Sequence, residues 1–305
     1  MKDSADIVLA NGNYGVDWFS QGLTEYAAGL PVGKCEKLLN YIAPEVKVAK
    51  SFEYYKSGEK SALIDTIHLD DVMRSTHGEF AFVGQGHKLV NAKCHCYGLT
   101  TRVEDDDEFI VKQAVEELKS LLIIKDLSRA LAMLDKIVKP IDIVWKKGND
   151  NNPIKDLRNL LKEASNKDLG NANRLLFGAD AWACRAEFFG ADSPNYTMSP
   201  DALALTLGID SCVVSTDRGL IKRDDADGKI TQSQDYIVRP ERVYAFASSG
   251  IANTKDASVL KRFVAKPYTV YTHEVPDALE ITVSTYSLLA QTGVGDLKCY
   301  SVKDN

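Results

Sequence analysis

The chain has 305 residues, 45% of them apolar and 26% charged, with a formal net charge of −6. Those proportions exclude a disordered tract, and the acidic balance excludes a protein whose main task is gripping nucleic acid through clustered Lys and Arg. Length allows a sizeable core in one large or two ordinary domains.

Six dispersed cysteines (Cys35, Cys94, Cys96, Cys184, Cys212, Cys299) are not the dense pattern of a disulfide scaffold. The opening MKDSADIVLA is not a secretory signal, and no stretch reaches the ~20 apolar residues of a membrane span. A soluble protein made in a reducing cytoplasm is expected.

Residues 1–45 mix glycines (Gly12, Gly15, Gly22, Gly29, Gly33) and Pro31 with the aromatics Tyr14, Trp18, Phe19 and Tyr26. This predicts an arm with one short helix near residues 18–28 that buries little of itself and lies on something else. Residues 46–67, VKVAKSFEYYKSGEKSALIDTI, then turn to strand character around Phe52, Tyr54 and Tyr55, with a turn at Ser57-Gly58. Neither side of this hairpin is apolar enough for a monomer core. More strand follows in residues 78–101.

The acidic run 104–108 (EDDDE) opens the longest periodic segment, FIVKQAVEELKSLLIIKDLSRALAMLDKIV. Phe109, Ala114, Val115, Leu118, Leu121, Leu122, Leu127, Ala130, Leu131, Leu134 and Val138 recur at helical spacing and predict one apolar stripe. Lys112, Glu116, Lys119, Asp126 and Lys136 fall outside it. Acids at the start, Lys136 and Lys139 at the end, and Pro140 beyond set its limits.

Beyond Pro140 the spacing predicts a strand at 141–145, a polar loop KKGNDNNP, and a helix at 154–164. A buried strand NRLLFG, helices at 179–189 and 200–207, and a strand SCVVS follow, so residues 140–250 read as a small α/β domain. From Arg242 onward, strands alternate with turns. A sheet built from segments on both sides of the long helix is the economical solution.

Chemistry-bearing motifs are sparse. Cys94-His95-Cys96 offers a single C-x-C with no second pair, and strand alternation separates His95 from the two thiols; buried strand cysteines are the reading. LLFGADAW sets a glycine at a strand-to-helix junction without the further glycines of a nucleotide-binding turn, which points to tight packing. No G-x-S-x-G occurs, and the five histidines have no recognisable partners. Catalytic, metal and cofactor-binding residues are therefore assigned as none. An α/β enzyme using the Gly178 region, or a thiol-metal protein, is the alternative from another class.

Read in order, KLLNYIAPEVKVAKSFEYYKSGEKSAL, GEFAFVGQGHKLVNAKCHCYGLTTRVEDDDE, NRLLFGADAWACRAEFF, SPDALALTLGIDSCVVSTDRG and SVLKRFVAKPYTVYTHEV resemble the major capsid proteins of tailed bacteriophages. The resemblance implies the Hong Kong 97-type α+β shell fold. Its parts would be an N-terminal arm (1–45), an extended loop (46–78), a strand and spine helix of the peripheral domain (79–140), an axial domain (141–250), and terminal strands returning to the peripheral domain (251–305). Residues 217–235 would form an axial loop.

The implied function is structural: hexamers and pentamers of an icosahedral head around double-stranded DNA, with a compartment shell of the encapsulin type as alternative. Implied partners are further copies of the chain, a portal, scaffolding (supplied by a separate protein or else absent), decoration proteins, and DNA held by weak non-specific contact, with no membrane. Candidate inter-subunit residues are Trp18, Phe19, Phe52, Tyr54, Tyr55, Lys56, Lys60, Asp105 and Asp106, the two lysines opposing the acidic run between copies.

Overall fold

A computed structural model describes residues 18–57, 87–104, 107–146, 152–165, 171–224, 230–256, 258–293 and 297–303. The described residues begin with two helices, α1 (Trp18–Gly29) and α2 (Lys34–Ile42), and continue with strands β1 (Glu45–Lys47), β2 (Ser51–Ser57), β3 (His87–Lys93) and β4 (His95–Val103). The long helix α3 (Glu108–Ile137) leads to β5 (Ile141–Ile143), α4 (Pro153–Ala164), β6 (Arg174–Gly178), α5 (Ala179–Phe189) and α6 (Pro200–Leu207). Seven strands complete the chain: β7 (Ser211–Ser215), β8 (Arg218–Asp224), β9 (Ile230–Tyr236), β10 (Arg242–Phe246), β11 (Leu260–Val275), β12 (Ala278–Gln291) and β13 (Leu297–Val302).

The chain divides into two compact units: Met1–Phe52, Asn91–Arg129 and Arg262–Ala290 in the first, and Glu53–Val90, Ala130–Lys261 and Gln291–Asn305 in the second. The first is built on a four-stranded sheet of order β1-β11-β12-β4. It joins strands from before and after the long helix, since β4 pairs antiparallel with β12 from Leu279↔Val103 to Ser287↔His95. Pro276-Asp277 turns β11 into β12, with Asp277 at φ 60, a left-handed conformation that Asp tolerates better than most residues. Ile281, Val283 and Val270 of the sheet pack with Leu23 and Ala27 of α1 and with Val111, Val115, Leu118 and Leu122 of α3.

Helix α1 thus differs from the expectation that it buries little. Leu23 and Ala27, one turn apart, are buried in the first unit's core. The Thr24 hydroxyl accepts from the Val270 amide at 2.9 Å, and the Ser20 and Thr272 hydroxyls meet at 2.7 Å. At the far end, the buried Lys119 ammonium donates to the Ala27 carbonyl at 2.8 Å, a cation on the negative end of the helix. The segment from Trp18 is packed on its own chain.

The second unit centres on a five-stranded sheet of order β5-β13-β10-β6-β7. Leu175, Phe177, Val243 and Ala245 meet Leu157, Leu160 and Leu161 of α4, Ala181 of α5 and Leu203 of α6. Strands β6 and β7 run parallel, joined through α5 and α6. Helix α4 starts under an Asn152 cap that accepts from the Ile154 and Lys155 amides, with Pro153 at its first turn.

One sequence expectation is corrected here. The terminal strand Leu297–Val302 does not return to the first sheet but pairs with β10 and β5 in the second. Its Leu297, Cys299 and Val302 are buried among that unit's strands, and an alternating period alone does not say which sheet edge a strand joins. The expected hairpin in residues 46–67 is described only through β2, which pairs with β3. Its turn at Gly58, and the loop to residue 86, lie outside the described residues. Within 217–235, β8 and β9 pair as an antiparallel ribbon.

Helix α3 is 30 residues long, about 45 Å at the α-helical rise of ~1.5 Å per residue. The Asp107 carboxylate accepts from the Phe109 amide at 2.8 Å and caps its start. Its buried surface is not one stripe. Val111, Val115, Leu118 and Leu122 lie on one side; Leu127, Ala130, Leu131 and Leu134 lie on a side rotated by about 140° at the ideal ~100° per residue. This is why Phe109 (74% exposed) and Leu121 (53%) face outward although both fit the expected stripe, and why Lys119 and Asp126 are buried although both were expected outside it.

Candidate functional site

Of the nine sequence candidates, the side chains of Phe19, Phe52, Tyr54, Tyr55 and Lys56 are described. Trp18 begins α1, but its side chain lies outside what is described; Phe19 is half-buried against the first unit's core. The Phe52 ring sits 4.6 Å from that of Phe263, tilted by 44°. Tyr54 is buried, and burial raises its phenol pKa. The Tyr55 amide donates to the Thr254 carbonyl at 3.0 Å, with the Lys255 ammonium 5.7 Å from the Tyr55 ring centre. Lys56 is half-exposed. Lys60, Asp105 and Asp106 lie outside the described residues. Phe52, Tyr54 and Tyr55 therefore already have partners within the chain, while the neighbours of the acidic pair, Glu104, Asp107, Glu108 and Phe109, are exposed.

A polar cluster in the first unit had no sequence signal. Asp126 of α3 is 1% exposed and accepts from the Tyr97 hydroxyl at 2.7–2.8 Å. The Arg262 guanidinium stands 3.8 Å from Asp126, donates to the Tyr268 hydroxyl at 3.2 Å, and pairs with Glu45. Burial disfavours the Arg262 charge, but Tyr268, Glu45 and Asp126 outweigh it and raise its pKa. Arg262 Nε is buried without a partner. The cluster ties β1, β4, α3 and β11 together, and each charge in it is met by an opposite one. In the second unit Arg185, fully buried, lies 3.8 Å from the Trp182 ring and donates to the Asn195 and Met198 carbonyls, pinning the loop after α5.

The nucleotide-like turn at Gly178 is filled by the chain itself. A Cβ there would meet the Arg239 carbonyl oxygen at 2.1 Å and that of Pro240 at 2.5 Å. The Pro240 carbonyl also accepts from the Ala181 amide at 2.9 Å, at the helix start where a phosphate would have to bind. The glycine serves close backbone packing.

Cys94 and Cys96 do not share an environment, contrary to the expectation that both are buried. Cys94 lies between β3 and β4, fully buried, its thiol 3.6 Å from the Phe263 carbonyl, whereas Cys96 within β4 is exposed. Among the described residues no group of three or more His, Cys, Asp or Glu is placed to hold a metal ion. One open cavity of about 360 Å³ lies in the first unit between the α1–α2 connection and α3, lined by Leu30, Pro31, Cys35, Lys119, Ile123 and Ile124 among others.

No family model and no curated protein matches this chain in sequence. Solved structures do. A phage-related protein of Bordetella bronchiseptica RB50 is 13% identical, with a TM-score of 0.65 over 95% of this chain and 98% of that one. A prophage protein of Escherichia coli CFT073 described as its capsid protein is 12% identical, with a TM-score of 0.52 over 93% of this chain and 99% of that one. The protein of a virus-like particle from Pyrococcus furiosus is 13% identical, with a TM-score of 0.50 over 93% and 100%. At such identities the likeness establishes a common architecture: the chain has the α+β fold of phage capsid structures, the Hong Kong 97-type shell fold.

Proposed function

We propose that this chain is a major capsid subunit of a tailed double-stranded DNA phage or prophage, assembling with its own copies into hexamers and pentamers of an icosahedral head. The observation that carries this reading is the fold shared with a phage-related protein along nearly the full length of both chains. Two features add support. The nucleotide-like turn at Gly178 is packed shut by backbone. The net charge of −6 suits a container that must later release a polyanion.

In this reading residues 46–78 are the extended loop, α3 is the spine, and residues 141–250 supply most of the axial domain. The acidic run with Asp105 and Asp106 forms one half of an inter-subunit contact, and Lys56 and Lys60 contribute to contacts of the loop. Trp18, Phe19, Phe52, Tyr54 and Tyr55 border those interfaces. Portal, scaffolding and decoration proteins are the further partners, and the assembled protein resides in the virion after assembly in the host cytoplasm.

Negative-stain microscopy of the expressed chain is the test. Uniform polyhedral particles or capsomer rings support the proposal, and nuclease-protected DNA inside particles from infected or induced cells supports the head. Particles filled with protein and devoid of DNA would instead indicate a compartment shell. A compact monomer at high concentration would overturn both.

A further inference from the structure

The loop after β10 holds one apolar side chain out in solvent. Ile251 is 87% exposed, more than any other large apolar side chain among the described residues. Its backbone is clamped by a single hydroxyl: Ser249 Oγ donates to the Ile251 carbonyl at 3.0 Å and accepts from the Ile251 amide at 3.2 Å. The flanks are fixed as well. The Ser249 amide donates to the Ser258 hydroxyl at 2.9 Å, and the Asn253 side-chain oxygen accepts from the Lys255 and Asp256 amides. The buried Lys261 ammonium holds the Asp256 carbonyl at 2.7 Å. A side chain presented on so constrained a backbone loses little freedom on docking, which is how a preorganised contact gains affinity.

A recess of matching character lies in the first unit. The cavity of about 360 Å³ between the α1–α2 connection and α3 has Leu30, Pro31, Ile123 and Ile124 in its wall, a size that can enclose an organic group. Val32, 51% exposed, sits between Pro31 and Gly33 of the same wall, and the exposed Leu121 follows Ser120. An apolar recess with further exposed apolar residues beside it marks a protein contact. Glu36 and Glu116 also border it.

Charge selects among the exposed apolar residues that could enter. Phe109 follows Asp107 and Glu108 directly and would bring carboxylates toward Glu36 and Glu116. Leu205 stands in mixed surroundings, with Asp201 one helical turn away and Arg158 at the adjoining Thr206 carbonyl. The Ile251 loop brings the exposed Lys255, and its acid, Asp256, is paired with Lys261 at 3.2 Å.

We propose that Ile251 of one copy seats in the recess of Leu30, Pro31, Ile123 and Ile124 on a second copy, with Lys255 on the side of Glu36 and Glu116. The inference rests on the shell reading and names one of its contacts. Knob and recess are different surfaces, so the contact is head-to-tail, the kind that repeats around a ring instead of closing at a dimer.

Disulfide trapping in the full-length chain tests this, because Cys35 lines the recess. Ile251→Cys is made together with Cys96→Ser, which removes the exposed thiol of β4. Oxidation of the assembled protein with diamide, which takes up the two thiol protons and two electrons, is expected to give a ladder of dimers, trimers and larger species on non-reducing gels. Adding Cys35→Ser is expected to abolish the ladder. Ile251→Asp and, on the other side, Val32→Asp are each expected to raise the concentration needed for ring or particle formation about tenfold or more, while Ile251→Leu keeps the parental threshold. Circular dichroism and the melting temperature confirm that each variant is folded. Unchanged thresholds in the folded Asp variants, no ladder, or a ladder that survives Cys35→Ser overturns this contact and leaves the shell reading standing. A link to Cys35 confined to single chains would assign the recess to the chain's own loop and also overturn it. Wild-type protein that never assembles overturns both.

Discussion

Tyr97 and Asp126 meet across the first unit, the phenol donating to the carboxylate at 2.7–2.8 Å while Ser287 lies 2.6 Å from the same hydroxyl. A phenol has one proton, so Ser287 is the donor to Tyr97. Burial, then the Asp126 charge, raises the Tyr97 pKa far above that of a free phenol and keeps the proton in place. The bond joins the sheet to the long helix at a side chain that is 1% exposed.

Removing the hydroxyl with Tyr97→Phe leaves Asp126, among the described residues, with longer contacts to Arg262 at 3.8 Å and Arg129 at 3.9 Å. A buried acceptor deprived of its donor costs about 1–3 kcal/mol. Urea unfolding of the unassembled subunit should show that loss. Thr100→Val, which breaks the exposed Thr100–Thr282 hydroxyl pair, should stay within about 0.5 kcal/mol. Equal stabilities for the two variants would refute the special weight given to Tyr97.

Gly178→Ala is the sharpest packing prediction. The new methyl would fall 2.1 Å from a backbone oxygen that is held by its own chain and has nowhere to swing. A loss above about 3 kcal/mol, or failure to fold, is expected from overpacking against a fixed neighbour. Gly250→Ala, where nothing lies within 4 Å, is the control and should melt within a degree or two of the parent at about 0.5 kcal/mol or less. A soluble Gly178→Ala protein with parental melting temperature would mean the 239–240 segment yields.

Much of this architecture was legible where local signals agree. The span of α3 follows from Asp107 at its cap, Lys136 in its last turn and Pro140 beyond, and the strand-to-helix passage at Gly178 follows from an apolar run ending in glycine. The stripe on α3 was misread because its two halves bury different sides, a consequence of what packs on the helix and not of its own period. Helix α1 looked unanchored because Ser20 and Thr24, its contacts to β11, are polar residues that carry no hydrophobic signal.

Cysteine reactivity should separate sharply by site. Cys212 and Cys299 are buried, and burial pushes each thiol up to about 12; burial also raises the thiol pKa of Cys94. Thiol reagents attack the thiolate and need access, so all three should stay unmodified in the folded subunit at pH 8. Cys96 is exposed and should label first. Mass spectrometry after a short alkylation pulse reads the order directly, and early labelling of Cys212 or Cys299 would contradict the described cores.

Lys261 and Asp256 give a pH dependence whose sign can be worked out. The ammonium is 0% exposed, 3.2 Å from the Asp256 carboxylate and 2.7 Å from the Asp256 carbonyl. For Asp256, burial acts to raise the pKa, but donors from Ser258 and the Asn253 backbone, with the Lys261 charge, outweigh it and bring it below 3.8. A depressed carboxyl binds protons more weakly when folded than unfolded, so its stabilising effect is complete above the unfolded pKa and fades as pH falls through the folded one. Burial lowers the Lys261 pKa despite Asp256, so this group works the other way: stability from it increases as pH rises from the folded pKa toward 10.5. Asp256→Asn leaves a buried ammonium without its counter-charge and should cost about 3 kcal/mol at pH 7. The gap between variant and parent should narrow as pH drops below 3.8, where the unfolded parent's carboxyl takes up a proton before the folded one does. Chemical denaturation at a series of pH values measures this, and a gap that is constant from pH 7 to pH 3 would exclude the ion pair as its source.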